Sequence, residues 1–139
     1  METDYENGHD SLTDETRQKL KDLSKAFLRL HKTLLEAAKA EYEAVNGEIP
    51  NSNAYLRLVL EDPHFAWLRK ISSLIALIDE AASIRRPATE SESLALIDRA
   101  RLLLVFEDPD EDFNDKLQAA LQNNTDAVVG HNDTLKIIS

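Results

Sequence analysis

The sequence predicts an all-α protein, an up-and-down antiparallel bundle of about four main helices with one short helix before Pro63. Three observations lead there. Apolar residues recur at helical spacings along most of the chain. Three glycines and four prolines leave too few turn residues for an architecture of many short strands. Proline, glycine and capping residues also fall where such helices should start and stop. A chain of 139 residues suits one domain with a sizeable core. That domain is expected over residues 12–139, after a disordered acidic tail, METDYENGHDS, at 1–11, which has almost nothing to bury.

From Thr13 to Asn46 a heptad pattern runs through Leu20, Phe27 and Leu34 on one column and Leu23, Leu30, Ala37 and Ala44 on the next, which reads as one long amphipathic helix. Asn46-Gly47 supplies a C-terminal stop, and Pro50 bars immediate re-entry. Ser52 to Glu61 forms a short helix. Asp62-Pro63 then opens a strong helix, with His64, Trp67, Leu68, Ile71, Leu74, Ile75, Ile78, Ala81 and Ala82 on one wide face. It is expected to end at Arg85-Arg86-Pro87, where two cations would meet the negative end of the helix dipole and proline forbids continuation. Thr89-Glu90-Ser91-Glu92 reads as a capping box ahead of Leu94, Ile97, Ala100, Leu103 and Leu104, a helix reaching about Glu107. Phe113, Leu117, Ala120 and Leu121 mark the next. The polar run at 123–126 separates it from a last segment, Ala127 to Ile138, which Gly130 weakens.

Glu-Asp-Pro occurs twice, at Glu61-Asp62-Pro63 and Glu107-Asp108-Pro109. Aspartate is a good N-cap, and proline at the first helical position lacks an N–H that would be unpaired there anyway. Both are therefore read as helix starts, with Asp62, Thr89 and Asp108 as caps. Beyond Val59 and Val105 the flanks diverge, which argues against an internal duplication.

Charge and composition bound the function. With 26 acidic and 16 basic side chains the formal charge is −10. Such a field repels nucleic acid and anionic lipid, so neither is expected as a partner. A protein partner, of basic character where charge decides, or a second copy in a homodimer fits better. Without cysteine there is no disulfide or thiolate metal site. The Met1 end does not resemble a secretory signal, and no apolar run is long enough to span a bilayer, so a cytoplasmic location is expected.

No catalytic constellation emerges, and neither an enzymatic activity nor a cofactor is expected. Asp108, Asp110, Asp112 and Asn114 start like a calcium loop, but Phe113 stands at the sixth place, which needs glycine, and Ala119 at the twelfth, which needs glutamate. The single Glu-x-x-His, Glu61 to His64, is interrupted by Pro63 and lacks the companions a di-iron bundle requires. His31 lacks the following glycine of a phosphotransfer histidine. Trp67 lies on the apolar stripe and reads as a core anchor.

The other flank of the helix opened by Pro63 is less usual. Arg69, Ser72, Ser73, Ala76, Asp79, Glu80 and Ser83 form a strip of mostly small residues edged by charge. Small side chains let another helix approach closely, from this chain, a second copy or a different protein. Arg69 paired with Asp79 or Glu80 could fix its register. The stretch DPHFAWLRKISSLIALIDE, residues 62–80, resembles a segment of small uncharacterised bacterial proteins that carry DPxFAWLR, then Leu-Ser, then IDE. The resemblance is looser in LLEAAKAEYE before it and VVGHNDTLKI after it, where Gly130 stands in place of a better helix former. It implies a bacterial cytosolic helical protein and brings no activity. The expected function is a non-enzymatic interaction or accessory protein, self-associating or bound to another protein through His64, Trp67, Arg69, Ser72, Ala76, Asp79 and Glu80. The alternative is a small-ligand-binding or sensor bundle with an interhelical pocket near His64, Trp67 and Asp79.

Overall fold

The computed structural model describes residues 10–139, and among them it contains seven helices and no strand. They are α1 (Asp14–Asn46), α2 (Ser52–Glu61), α3 (Pro63–Ala66), α4 (Arg69–Ala81), α5 (Glu90–Leu104), α6 (Glu111–Gln122) and α7 (Thr125–Ile138). The protein is all-α. Among the described residues, no helix is long and apolar enough to cross a membrane.

Four helices, α1, α4, α5 and α7, share the core, and their hydrogen bonds fix the directions. Arg17 near the start of α1 reaches the Ala82 carbonyl just past the end of α4 at 3.0 Å, while His64, before α4, meets the Ala38 carbonyl late in α1 at 2.8 Å. Those helices are antiparallel. Lys70 at the start of α4 bonds Asp108, beyond the end of α5, so α4 and α5 form an antiparallel hairpin. His131 meets the Leu104 carbonyl and Arg101 the Ile138 carbonyl, which sets α7 antiparallel to α5. The up-down-up-down order follows, with α6 packed on α7. Leu20, Leu23, Phe27, Leu30, Leu34, Phe65, Leu68, Ile71, Ile78, Leu104, Phe113 and Leu117 are fully enclosed between these helices.

Local chemistry sets most of the ends. Thr13 caps α1 by accepting from the Thr16 N–H, and Gly47 ends it at φ +87°, a backbone angle that side chains disfavour. Asn51 and Asp62 cap α2 and α3. At α5 the capping box is complete: Thr89 Oγ1 accepts from the Glu92 N–H at 3.1 Å and Glu92 Oε1 from the Thr89 N–H at 3.0 Å. Asn124 caps α7, which is continuous through Gly130. A Cβ there would lie 3.4 Å from Leu30 Cδ1, so this glycine marks the close crossing of α7 over α1.

Five expectations are corrected. The seam of α1 drifts, burying Ala38 where the heptad placed Ala37 and leaving Ala44 in solvent, because a straight helix turns every 3.6 residues and not every 3.5. The helix opened by Pro63 is broken at Trp67-Leu68 and stops at Ala81 instead of Arg86. The carbonyls of Ala82 and Ser83 are taken by Arg17 of α1, the Ala81 carbonyl accepts from the Ala88 N–H, and Arg85 and Arg86 lie outside the helix. In α5, Ser93 is buried while Leu94 is 48% exposed. The α5 helix ends at Leu104, not near Glu107, closed by Phe106 at φ 63° with the Glu107 N–H bonded to the Leu102 carbonyl. Finally, Asp108 is not a cap: Asp110 takes that place, accepting from the Phe113 N–H at 3.3 Å.

The expected tail falls for residues 1–9 outside the described residues. Asp10, inside the range expected to be disordered, is held in place. Its carbonyl accepts from the Glu90 N–H, and its Oδ1 accepts from the N–H and hydroxyl of Ser91. In return Glu90 accepts from the Thr13 N–H at 2.9 Å and the Thr16 hydroxyl at 2.6 Å. The starts of α1 and α5 thus clasp each other. These bonds hold the Glu90 carboxyl below its ordinary 4.5, Thr13 contributing first and Thr16 second.

Candidate functional site

The outer side of the α4–α5 hairpin mixes small and apolar side chains with charged ones. On α4, Ile71, Leu74, Ile75 and Ile78 face the core, which turns Ser72, Ser73, Ala76, Leu77 and Glu80 outward at helical spacing. On α5, Ile97, Ala100, Leu103 and Leu104 face inward, while the exposed side holds Leu94, Ala95 and Leu102 among Ser91, Glu92, Asp98 and Arg99, with Leu102 43% exposed.

Three clefts run along this hairpin, and Arg99 lines all of them. One, of about 510 Å³ near the α4–α5 loop, is walled by Leu77, Glu80, Arg86, Glu92, Ala95 and Leu96. At the other end a cleft of about 360 Å³ is walled by Ala66, Trp67, Arg69, Lys70, Ser73 and Asp110. The third, of about 450 Å³, lies between Lys70, Asp98, Leu102 and Asp108.

Acidic and basic side chains mix along the hairpin. Lys70 Nζ lies 2.8 Å from Asp108 Oδ2 and 5.9 Å from the centre of the Phe113 ring. Burial by itself would raise the Asp108 carboxyl, but the Lys70 hydrogen bond, the Asp110 N–H and the charges of Lys70 and Arg99 outweigh it and hold the group below 3.8. Arg69 spends Nη1 on the Val59 carbonyl at 2.9 Å. Arg99 makes no hydrogen bond or ion pair among the described residues. Asp110, the carboxylate on the Trp67 cleft, is engaged by the Phe113 N–H.

The seven residues picked from the sequence do not form one site. Trp67 and Arg69 line the 360 Å³ cleft, where Trp67 also packs on Phe113 at 5.9 Å. Glu80 lines the cleft near the loop, and Ser72 and Ala76 lie exposed on the outer face of α4. His64 sits elsewhere, beside Tyr42 and Phe65 with Nε2 on the Ala38 carbonyl. Asp79 accepts a short hydrogen bond from Ser24 of α1. The pocket expected to unite His64, Trp67 and Asp79 is therefore not formed, because the turn at Trp67-Leu68 and the α1 contact send the three side chains to different neighbours. Among the described residues no helix covers Ala76, and Arg69 meets the Val59 carbonyl and neither acid of the strip.

Sequence reasoning missed Lys70, Leu77, Ala95, Arg99 and Leu102. The signal was present in α5, whose leucines outnumber one helical face. Comparison with protein-family models, with curated proteins and with solved structures finds no match for this chain.

Proposed function

We propose that this chain is a non-enzymatic, cytoplasmic helical-bundle interaction protein that associates with a second copy of itself through the outer side of the α4–α5 hairpin. The exposed small and apolar side chains of the hairpin, Ala95 and Leu102 of α5 and Ala76 and Leu77 of α4, carry the reading. Small residues there permit close backbone approach. Glu80 and Glu92 lie near the loop end together with Arg86, Arg69 and Lys70 lie toward the other end with Asp110, and Arg99 lines the clefts at both. Arg69 and Glu80 are about 16 Å apart along α4 at 1.5 Å per residue. A two-fold axis across the hairpin would set Glu80 of each copy over Arg69 of the other.

Each copy also carries −10 overall, so two copies repel at long range. Salt screens that repulsion beyond about 10 Å at 0.1 M, while contacts a few ångströms apart survive better. Association should strengthen from low to moderate ionic strength. Light scattering over a concentration series tests the proposal: the parent should show a dimer, and Ala76→Arg a monomer that keeps its helical fold and melts no higher than the parent. A parent that stays monomeric up to its solubility limit overturns it, as does an Ala76→Arg variant that dimerises like the parent.

A further inference from the structure

We propose that the cleft walled by Trp67, Arg69, Lys70, Ser73 and Arg99 is a binding site for a small oxyanion ligand, a phosphate or carboxylate group carried on an apolar body. The charge of this cleft runs against that of the chain. The chain has ten more acidic than basic side chains, 26 against 16, yet this cleft gathers three cations and one carboxylate. Bringing like charges together is unfavourable unless something opposite lies between them.

The protein provides only part of that opposite charge. Asp108 is paired with Lys70 and its charge is also felt by Arg99, so one carboxylate serves two of the cations, and Arg69 retains donors beyond the Nη1 it gives to Val59. The carboxylate of Asp110 is directed to the Phe113 N–H. Arg99 keeps its whole guanidinium, a planar fork of donors matched to two oxygens of one anion. The Ser73 hydroxyl makes no hydrogen bond to the described residues and can donate to the same group. Trp67 and Ala66 form the apolar wall. A space of about 360 Å³ suits a small molecule, and few convergent polar groups on such a wall are how small-ligand sites are built. This inference does not require self-association, and its ligand would compete with the second copy's Glu80 for the same cations.

Trp67 is the single tryptophan of the chain, so its fluorescence reports on this cleft directly. The full-length protein is titrated with inorganic phosphate and with phenyl phosphate, with calorimetry in parallel and the mass followed by light scattering. Both probes should bind saturably, phenyl phosphate more tightly. Arg99→Gln should weaken binding about tenfold or more, as loss of charged hydrogen bonds implies. Ser73→Glu, which places a carboxylate in the cleft, should abolish it. Arg57→Gln, which removes an exposed cation of α2 outside the cleft, should leave it unchanged.

No saturable binding by either method overturns the site, and so does an Arg99→Gln or Ser73→Glu variant that binds like the parent. Equal weakening by Arg57→Gln would show general ion attraction and also overturn it. Equal affinity for the two probes would remove Trp67 as the wall that holds the ligand body. Saturable binding to a monomer would sustain this site while the dimer proposal fails.

Discussion

The two Glu-Asp-Pro segments differ in what surrounds them, and the difference shows how far a local signal reaches. At the first, Asp62 has extended backbone, accepts from the His64 N–H at 2.9 Å and places Pro63 at the start of α3. At the second, the chain arrives through the left-handed Phe106, and the helix waits until Glu111 with Asp110 as its cap. Asp108 is diverted. Lys70 and the Asp110 N–H hold its carboxylate, while Asn114 grips its backbone from both sides, donating to its carbonyl at 2.9 Å and accepting from its N–H at 3.2 Å. The tripeptide marks the neighbourhood of a helix start in both cases. A lysine from α4 decides which aspartate does the capping.

The largest expected effect separates the two aspartates. Asp108→Ala should cost about 2–3 kcal/mol, since it strands the Lys70 ammonium and removes a buried acceptor; partial exposure of Lys70 keeps the loss below that of a fully buried pair. Denaturant titration measures it, and a loss no larger than that of Asp62→Ala would erase the contrast. Next come the true caps. Asp62→Ala and Asp110→Ala should each cost about 1 kcal/mol, with Asp62→Ser recovering most of the first loss. An Asp110→Ala variant as stable as the parent would return the capping role to Asp108.

The left-handed entry gives a third test. Phe106 covers His131, the rings stacked at 5.5 Å and 12°, so either truncation loses that contact. Glycine at this position would shed the backbone strain that alanine keeps. Phe106→Gly should therefore melt above Phe106→Ala, by an amount equivalent to about 1 kcal/mol.

The smallest effect is in acid. A folded carboxyl held below 3.8 stabilises the fold above that pH and loses the contribution as pH falls through its folded value. Melting temperatures of the parent and Asp108→Asn should converge as pH drops from neutrality to well below 3.8. Glu90, Glu92 and Asp10 are also held low by hydrogen bonds, so both proteins lose stability there, and it is the narrowing gap that reports Asp108. A gap constant with pH would remove the ion pair from the account.

Legibility followed the range of the interaction. The start and end of α1, the whole of α2 and the Thr89–Glu92 box could be read because a few neighbouring residues determine them. The end of α4 could not, since Arg17 takes the carbonyls and nothing near Ala81 in sequence announces it. The break at Trp67-Leu68 carries no proline or glycine; it is held by short-range bonds such as Leu68 N–H to the Phe65 carbonyl, with Phe65 and Leu68 both sunk in the core. At the candidate site the strip on α4 was visible, but its companion face on α5 was hidden inside an apolar pattern that reads equally well as core. Arg99 carries no local motif. Its importance comes from where the hairpin puts it.

The clasp between Asp10, Thr13 and Thr16 on one side and Glu90 and Ser91 on the other bears on the order of folding. Its bonds join residues 74 to 81 positions apart, so they form only after the intervening helices have been brought into register. Contacts with so large a loop to close belong late on the route, after the α4–α5 hairpin and its local caps. Interactions absent from the transition state act on the escape rate from the native state and leave the forward rate alone. Weakening the clasp at Glu90 would accordingly steepen loss of the native fold with time while refolding kept its pace, which makes this small patch of exposed hydrogen bonds a latch on the lifetime of the bundle.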